Sequence, residues 1–142
     1  MRSRFWLLAA VVVLLDQWTK HLVERFLPLD GIPVPLLPGV VWLAHVHNPG
    51  MAFGQLRGAG PLLIVAAVAA VVFIVVYRAR LLRGGERMHP VLAVGLALPL
   101  GGAVGNMLDR IRLGKVVDFI YLGWFPVFNV ADSAITVGAV AL

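Results

Sequence analysis

The chain contains no cysteine. That excludes disulfides, thiolate metal sites and a thiol nucleophile. Charge is scarce as well. Charged residues make up 13% of the 142 residues against 61% hydrophobic ones, and the mean hydropathy is +0.93. A chain so poor in charge belongs to the membrane class, and by length it forms one domain over 1–142. There are only two serines, Ser3 and Ser133, and histidine is missing from the stretch 101–133. A Ser-His-Asp triad therefore lacks its base there. A Ser–Lys dyad would have to pair Ser133 with Lys20, the only lysine in an apolar run, and fits less well than two carboxylates do. The net charge is +5, but the basic residues are interspersed with apolar runs. They read as membrane-flank charges, not as a nucleic-acid surface.

What is present is four apolar runs, over 5–26, 61–77, 90–108 and 132–142. They predict an all-α integral membrane protein, a bundle of four transmembrane helices. About 22 residues in the first run reach ~33 Å as a helix, enough for a hydrocarbon core of ~30 Å. Arg2 and Arg4 precede this run in the manner of a secretory signal, but no small-residue cleavage site follows it. It is therefore read as a retained span. Pro99 predicts a kink in the third run. Gly101 and Gly105 form a small-xxx-small face that admits another backbone. The last run, of about 11 residues, gives only ~17 Å. The expectation is a sequence cut short within this span.

Between the first two runs, Pro28, Pro33, Pro35, Pro38 and Pro49 exclude a continuous helix. Residues 40–47 have the β-branched and aromatic character of a short strand. His45 and His47 would share one side of it, but no further ligands sit nearby at metal-site spacing, so no metal is expected. Asn48-Pro49-Gly50 is a turn signal. A plain turn accounts for Pro49 and Gly50 but leaves Asn48 free to donate into a site.

Basic residues in the short loops set the orientation. Arg2, Arg4, Arg78, Arg80, Arg83 and Arg87 lie on one side, and Arg25, Arg57, Arg112 and Lys115 on the other. The bias puts the N-terminus inside. Asp16, Asn48, Asn106, Asp109, Arg110, Asp118, Asn129 and Asp132 then all fall toward the outer face. Polar residues kept for structure alone would not gather at one depth from five segments.

An ionisable residue in an apolar span is a functional-site hypothesis by default. Asp16 and Lys20 lie four apart on one helical face, which suits a structural ion pair that supports the site. Asp118, in Val-Val-Asp-Phe, and Asp132, in Phe-Asn-Val-Ala-Asp, admit two readings. As a pair, one carboxylate would keep its proton while the other activates water, with no metal and no covalent intermediate. Alternatively Asp132 caps the fourth helix and Asp118 is an interfacial loop charge. A proton-coupled carrier with the same acids as a relay, and a purely structural helix packer, are further readings.

Five blocks bear on that choice. They are Asp16-x-x-x-Lys20, Asn48-Pro49-Gly50-Met51-Ala52-Phe53, Gly101-Gly102-Ala103-Val104-Gly105-Asn106-Met107-Leu108-Asp109-Arg110, Val116-Val117-Asp118-Phe119, and Phe128-Asn129-Val130-Ala131-Asp132-Ser133. In this order they resemble the prolipoprotein signal peptidase family, signal peptidase II, over nearly the whole chain. The resemblance implies a four-span bacterial inner-membrane aspartyl endopeptidase. It would cut lipoprotein precursors before a diacylglyceryl-modified cysteine, need no cofactor, and bind membrane lipid and peptide inhibitors of the globomycin type. By motif position it implies Asp118 and Asp132 as the catalytic pair. Asn48, Asn106, Arg110 and Asn129 would line the substrate pocket, with Asp16, Lys20, Gly50, Gly105 and Asp109 in support. A small β cradle over 30–54 would sit at the outer, periplasmic surface, and the segment between the two aspartates would act as a lid. Only 13 residues separate Asp118 from Asp132, which is short for that lid.

Overall fold

A computed structural model describes residues 2–50, 60–85 and 87–142. Met51, Ala52 and Phe53 of the second motif, and Arg57, lie outside the described residues. In chain order the elements are α1 (Arg2–Phe26), β1 (Val34–Leu37), β2 (Val41–Asn48), α2 (Gly60–Arg83), α3 (Pro90–Leu113), β3 (Val116–Tyr121) and α4 (Val130–Ala141). The stretches Ser3–Phe26, Gly60–Arg83 and Pro90–Leu113 are long and apolar enough to cross a membrane, and α4 is a shorter apolar helix.

The helices outrun the expected spans. Helix α2 continues past residue 77 through Arg78, Arg80 and Arg83 because arginine is a good helix former. It stops at Gly84-Gly85, where Gly85 takes a φ of 78°. Helix α3 runs on from residue 108 to Leu113. Gly114 ends it with a φ of 71°, and its N–H donates to Arg110 O at 2.9 Å. Only a residue without Cβ takes that left-handed cap cheaply. Helix α4 starts at Val130, not at Asp132, because Asn129 is its N-cap.

α3 packs against α1, α2, α4 and β3. Its glycines allow this approach. A Cβ at Gly101 would lie 2.7 Å from Ala9 O, and one at Gly105 would lie 2.5 Å from the Asp16 carboxylate. Gly138 of α4 similarly leaves room for the ring of Pro99, which sits inside α3. Phe5, Ala9, Ile74, Leu96, Ala97 and Leu100 form the apolar core at one end of the bundle.

At the other end lies an antiparallel sheet in the order β1-β2-β3. The strand expected at 40–47 is β2. Strands β1 and β3 are additions to the residue-by-residue reading. Val117 and Phe119 of β3 are buried with Val23 of α1 in a second apolar cluster. Period-two alternation therefore turns Asp118 the other way, toward α3 and α4.

Candidate active site

Asp118 is opposite Val46 in the β2–β3 ladder, so Asn48, two residues along β2, faces the same side. Asn48 Nδ2 donates to Asp118 Oδ2 at 3.0 Å. The Asn48 carbonyl accepts from Gly50 N–H at 3.0 Å, which fixes the way the amide faces. The turn therefore closes on its asparagine and still delivers a donor.

Asn129 joins the two aspartates. Its Nδ2 donates to Asp118 Oδ1 at 2.8 Å, while its Oδ1 accepts from Asp132 N–H at 2.9 Å. Asp132 Oδ2 accepts from Asn129 N–H at 3.3 Å, completing a reciprocal capping box. Asp132 is thus the third residue of α4 and not its cap. Asn106 Nδ2 donates to Asp132 Oδ1 at 2.8 Å. Asn106 and Asn129 were both expected in a pocket wall. Asn129 is fully buried and Asn106 is 7% exposed, so each offers a pocket little surface. Arg110 is partly open, and its Nη2 donates to Gly50 O at 3.1 Å.

Burial first, and the charge of Asp132 second, push the Asp118 carboxyl up to about 7. The Asn48 and Asn129 donors and the Lys20 ammonium oppose that rise. A carboxyl held that high keeps much of its proton at neutral pH, as a general acid does.

A buried ionic layer supports them. Lys20 Nζ contacts Asp16 Oδ2 at 2.8 Å, Asp109 Oδ2 at 2.9 Å and Asn106 Oδ1 at 2.9 Å. All three ammonium donors are used. Asp16 Oδ1 accepts from Ala131 N–H at 2.9 Å, beside Asp132. Asp109 Oδ2 accepts from Val117 N–H at 3.0 Å, beside Asp118. Each supporting carboxylate therefore holds the backbone next to one of these two aspartates. Gln17 completes the layer, donating to Asp109 Oδ1 at 3.0 Å and Gly105 O at 3.1 Å. The sequence reading missed Gln17, a neutral residue whose one signal was its place beside Asp16.

His45 and His47 do share a side of β2, with ring centroids 5.2 Å apart. Among the described residues, no group of three His, Asp or Glu side chains could hold a metal ion.

Residues 8–142 match the family model of signal peptidase II. The chain belongs to the signal peptidase II family. A lipoprotein signal peptidase of Geobacillus kaustophilus is 48% identical, covering 97% of this chain and 88% of that protein. Another, of Symbiobacterium thermophilum, is 47% identical over 92% of this chain and 86% of that protein. A bacterial membrane enzyme solved by the in meso method at 2.3 Å superposes with a TM-score of 0.88 at 27% identity, covering 98% of this chain and 84% of that one. The chain is accordingly a membrane peptidase of lipoprotein processing. The proton-coupled carrier and the purely structural helix packer are set aside.

Proposed function

We propose that this peptidase is of the aspartic type, with Asp118 and Asp132 as the catalytic pair. It cuts diacylglyceryl-modified prolipoproteins just before the lipidated cysteine. The observation that carries the reading is Asn129, one buried amide bonded to the Asp118 carboxylate and to the Asp132 backbone N–H. A plain helix cap would not need its second hand on a buried carboxyl of another element. The domain takes in 1–142 and crosses the bacterial inner membrane four times, with the short apolar helix α4 lying in the fourth span. The sheet and the dyad lie at the outer face. Ile32 and Trp124 there are 90% and 82% exposed, as residues of a membrane–water interface would be.

Arg110 and Asn48 meet the substrate. The guanidinium fork suits two acceptors of an extended peptide, and its partner Gly50 O is a backbone group that a substrate carbonyl can replace. Asn106 and Asn129 form the floor beneath the reacting atoms. Lys20, Asp16 and Asp109 hold that floor, and the segment between β3 and α4 closes over it. Peptide inhibitors of the globomycin type compete for the same place.

Asp118→Asn and Asp132→Asn test this on purified enzyme with a lipid-modified precursor. Asn keeps the shape but neither accepts the water's proton nor returns one. Each change is expected to lower cleavage by ~10²–10⁴-fold. The double variant should be little worse than either single, because residues acting as a unit are strongly non-additive. Near-normal turnover by either folded single variant overturns the two-aspartate reading.

A further inference from the structure

The dyad's two carboxyls sit in unequal surroundings. Asn106 Oδ1 accepts from both Lys20 Nζ at 2.9 Å and Asn129 Nδ2 at 3.0 Å. A carbonyl oxygen has two lone pairs, and both are taken. Turning the amide over would aim its N–H groups at an ammonium. The amide nitrogen is therefore pinned on Asp132 Oδ1, at 2.8 Å. Asp132 also lies in the first turn of α4, where the free N–H groups favour negative charge. It is partly exposed. Asp118 is 2% exposed and lies on a strand, outside the first turn of α4. A charge there forgoes hydration that Asp132 retains.

We infer that in the resting dyad Asp132 carries the negative charge and Asp118 the proton, and that Asn106 is the positioning residue that fixes this order. The assignment rests on the aspartic reading of the site and adds roles to it. The charged groups around the pair come from α1 and α3. They are Asp16 and Lys20 of α1 and Asp109 and Arg110 of α3. Lys20 is engaged by Asp16 and Asp109, while Arg110 feels both members of the dyad. The rise of the Asp118 carboxyl to about 7 agrees with this order.

The reaction then balances as follows. Asp132 takes a proton from water as the water oxygen bonds to the scissile carbonyl carbon, and Asp118 gives its proton to the carbonyl oxygen. The result is a neutral gem-diol. As the C–N bond breaks, Asp132 passes its proton to the departing nitrogen. Asp118 recovers a proton from one hydroxyl as the new carboxylic acid forms.

The test uses two variants, each of which removes a donor from one aspartate only. Asn106→Ala takes a donor from Asp132, and Asn48→Ala takes one from Asp118. The pH profile of kcat/KM is measured for both and for wild type, with a thermal melt of each variant. Losing a donor destabilises a carboxylate, so the affected limb moves to higher pH by about one unit. Asn106→Ala is expected to move the acid limb and leave the alkaline limb in place. Asn48→Ala is expected to do the opposite. Exchanged limbs, or limbs that move together or not at all, overturn the inference. Should Asn106→Ala fail to fold, Asn48→Ala decides alone, since the two assignments give it opposite limbs. Failure of the aspartic reading looks different: Asp118→Asn or Asp132→Asn would keep turning over.

Discussion

Lys20→Met is the sharpest test of the buried ionic layer. Methionine keeps the length of the stem and removes the ammonium. The side chains of Lys20, Asp16 and Asp109 are all 0% exposed, so no water replaces the lost partner. Two carboxylates are left facing each other, and the Asn106 carbonyl loses the contact that fixes its direction. Removing one partner of a buried ion pair costs about 3–5 kcal/mol. At roughly 3–4 °C per kcal/mol for a chain of this size, the melting temperature should fall by ~10–20 °C. Tryptophan fluorescence of the detergent-solubilised protein follows the transition. Adding Asp109→Asn removes one of the stranded charges and keeps an acceptor for Val117 N–H. The double variant should therefore melt above Lys20→Met alone, the reverse of additive behaviour. The Arg112–Glu24 pair, 48% and 21% exposed, is the control, and Glu24→Gln should change stability by no more than ~1 kcal/mol. A Lys20→Met protein melting within about 2 °C of wild type would refute the reasoning that the layer's energy is that of a desolvated ion pair.

Asp118 makes stability depend on pH. Its carboxyl is raised from 3.8 to about 7 in the fold, so its contribution is intact below 3.8 and is lost progressively until pH has risen through about 7. Asp118→Asn, neutral throughout, should gain in melting temperature relative to wild type at pH 8 and lose that advantage at pH 4; equal offsets at both would contradict this. At the α3–α4 contact, a Cβ on Gly102 would strike Ala131 O and come within 2.8 Å of Ile135 Cγ1. Gly102→Ala should cost ~1–3 kcal/mol by overpacking and lower cleavage by shifting α4 with Asp132, both read on the purified variant. The orientation is checked by single cysteines in this cysteine-free chain. Those at Ile32 and Trp124 should react with an impermeant maleimide outside the cell and one at Gly84 should not, the reverse pattern placing the site inside.

What could be read beforehand divides along sequence distance. Asp16 and Lys20 lie on one helical face by spacing alone, and their ion pair is there at 2.8 Å. The third partner, Asp109, comes from another helix, and no local pattern announces it. The small-residue face of α3 was legible for the same reason as the ion pair: Gly101 and Gly105 are one turn apart. Strand β3 was not, since its six residues carry a charge at the centre and make sense only once β2 pairs with them. The fourth apolar run begins near Asp132, and α4 itself begins two residues earlier. Asn129 followed three residues later by an acid is a capping-box pattern, and reading it would have moved the helix start back to Val130.

The same pattern explains why two readings of Asp132 that looked like rivals are compatible. One carboxylate oxygen closes the capping box on Asn129 N–H, and the other takes the Asn106 amide. Asn129 spends its own carbonyl on the α4 backbone and its amino group on Asp118. Structural capping is thus the means by which α4 is locked in register with β3. A helix start that served only itself would leave Asp118 with only the Asn48 donor at 2% exposure, an expensive place for a carboxyl of any role. Expense of that kind at a shared proton is what the proposed chemistry requires, because the desolvation that weakens the fold at alkaline pH is also what keeps an acid protonated beside a base.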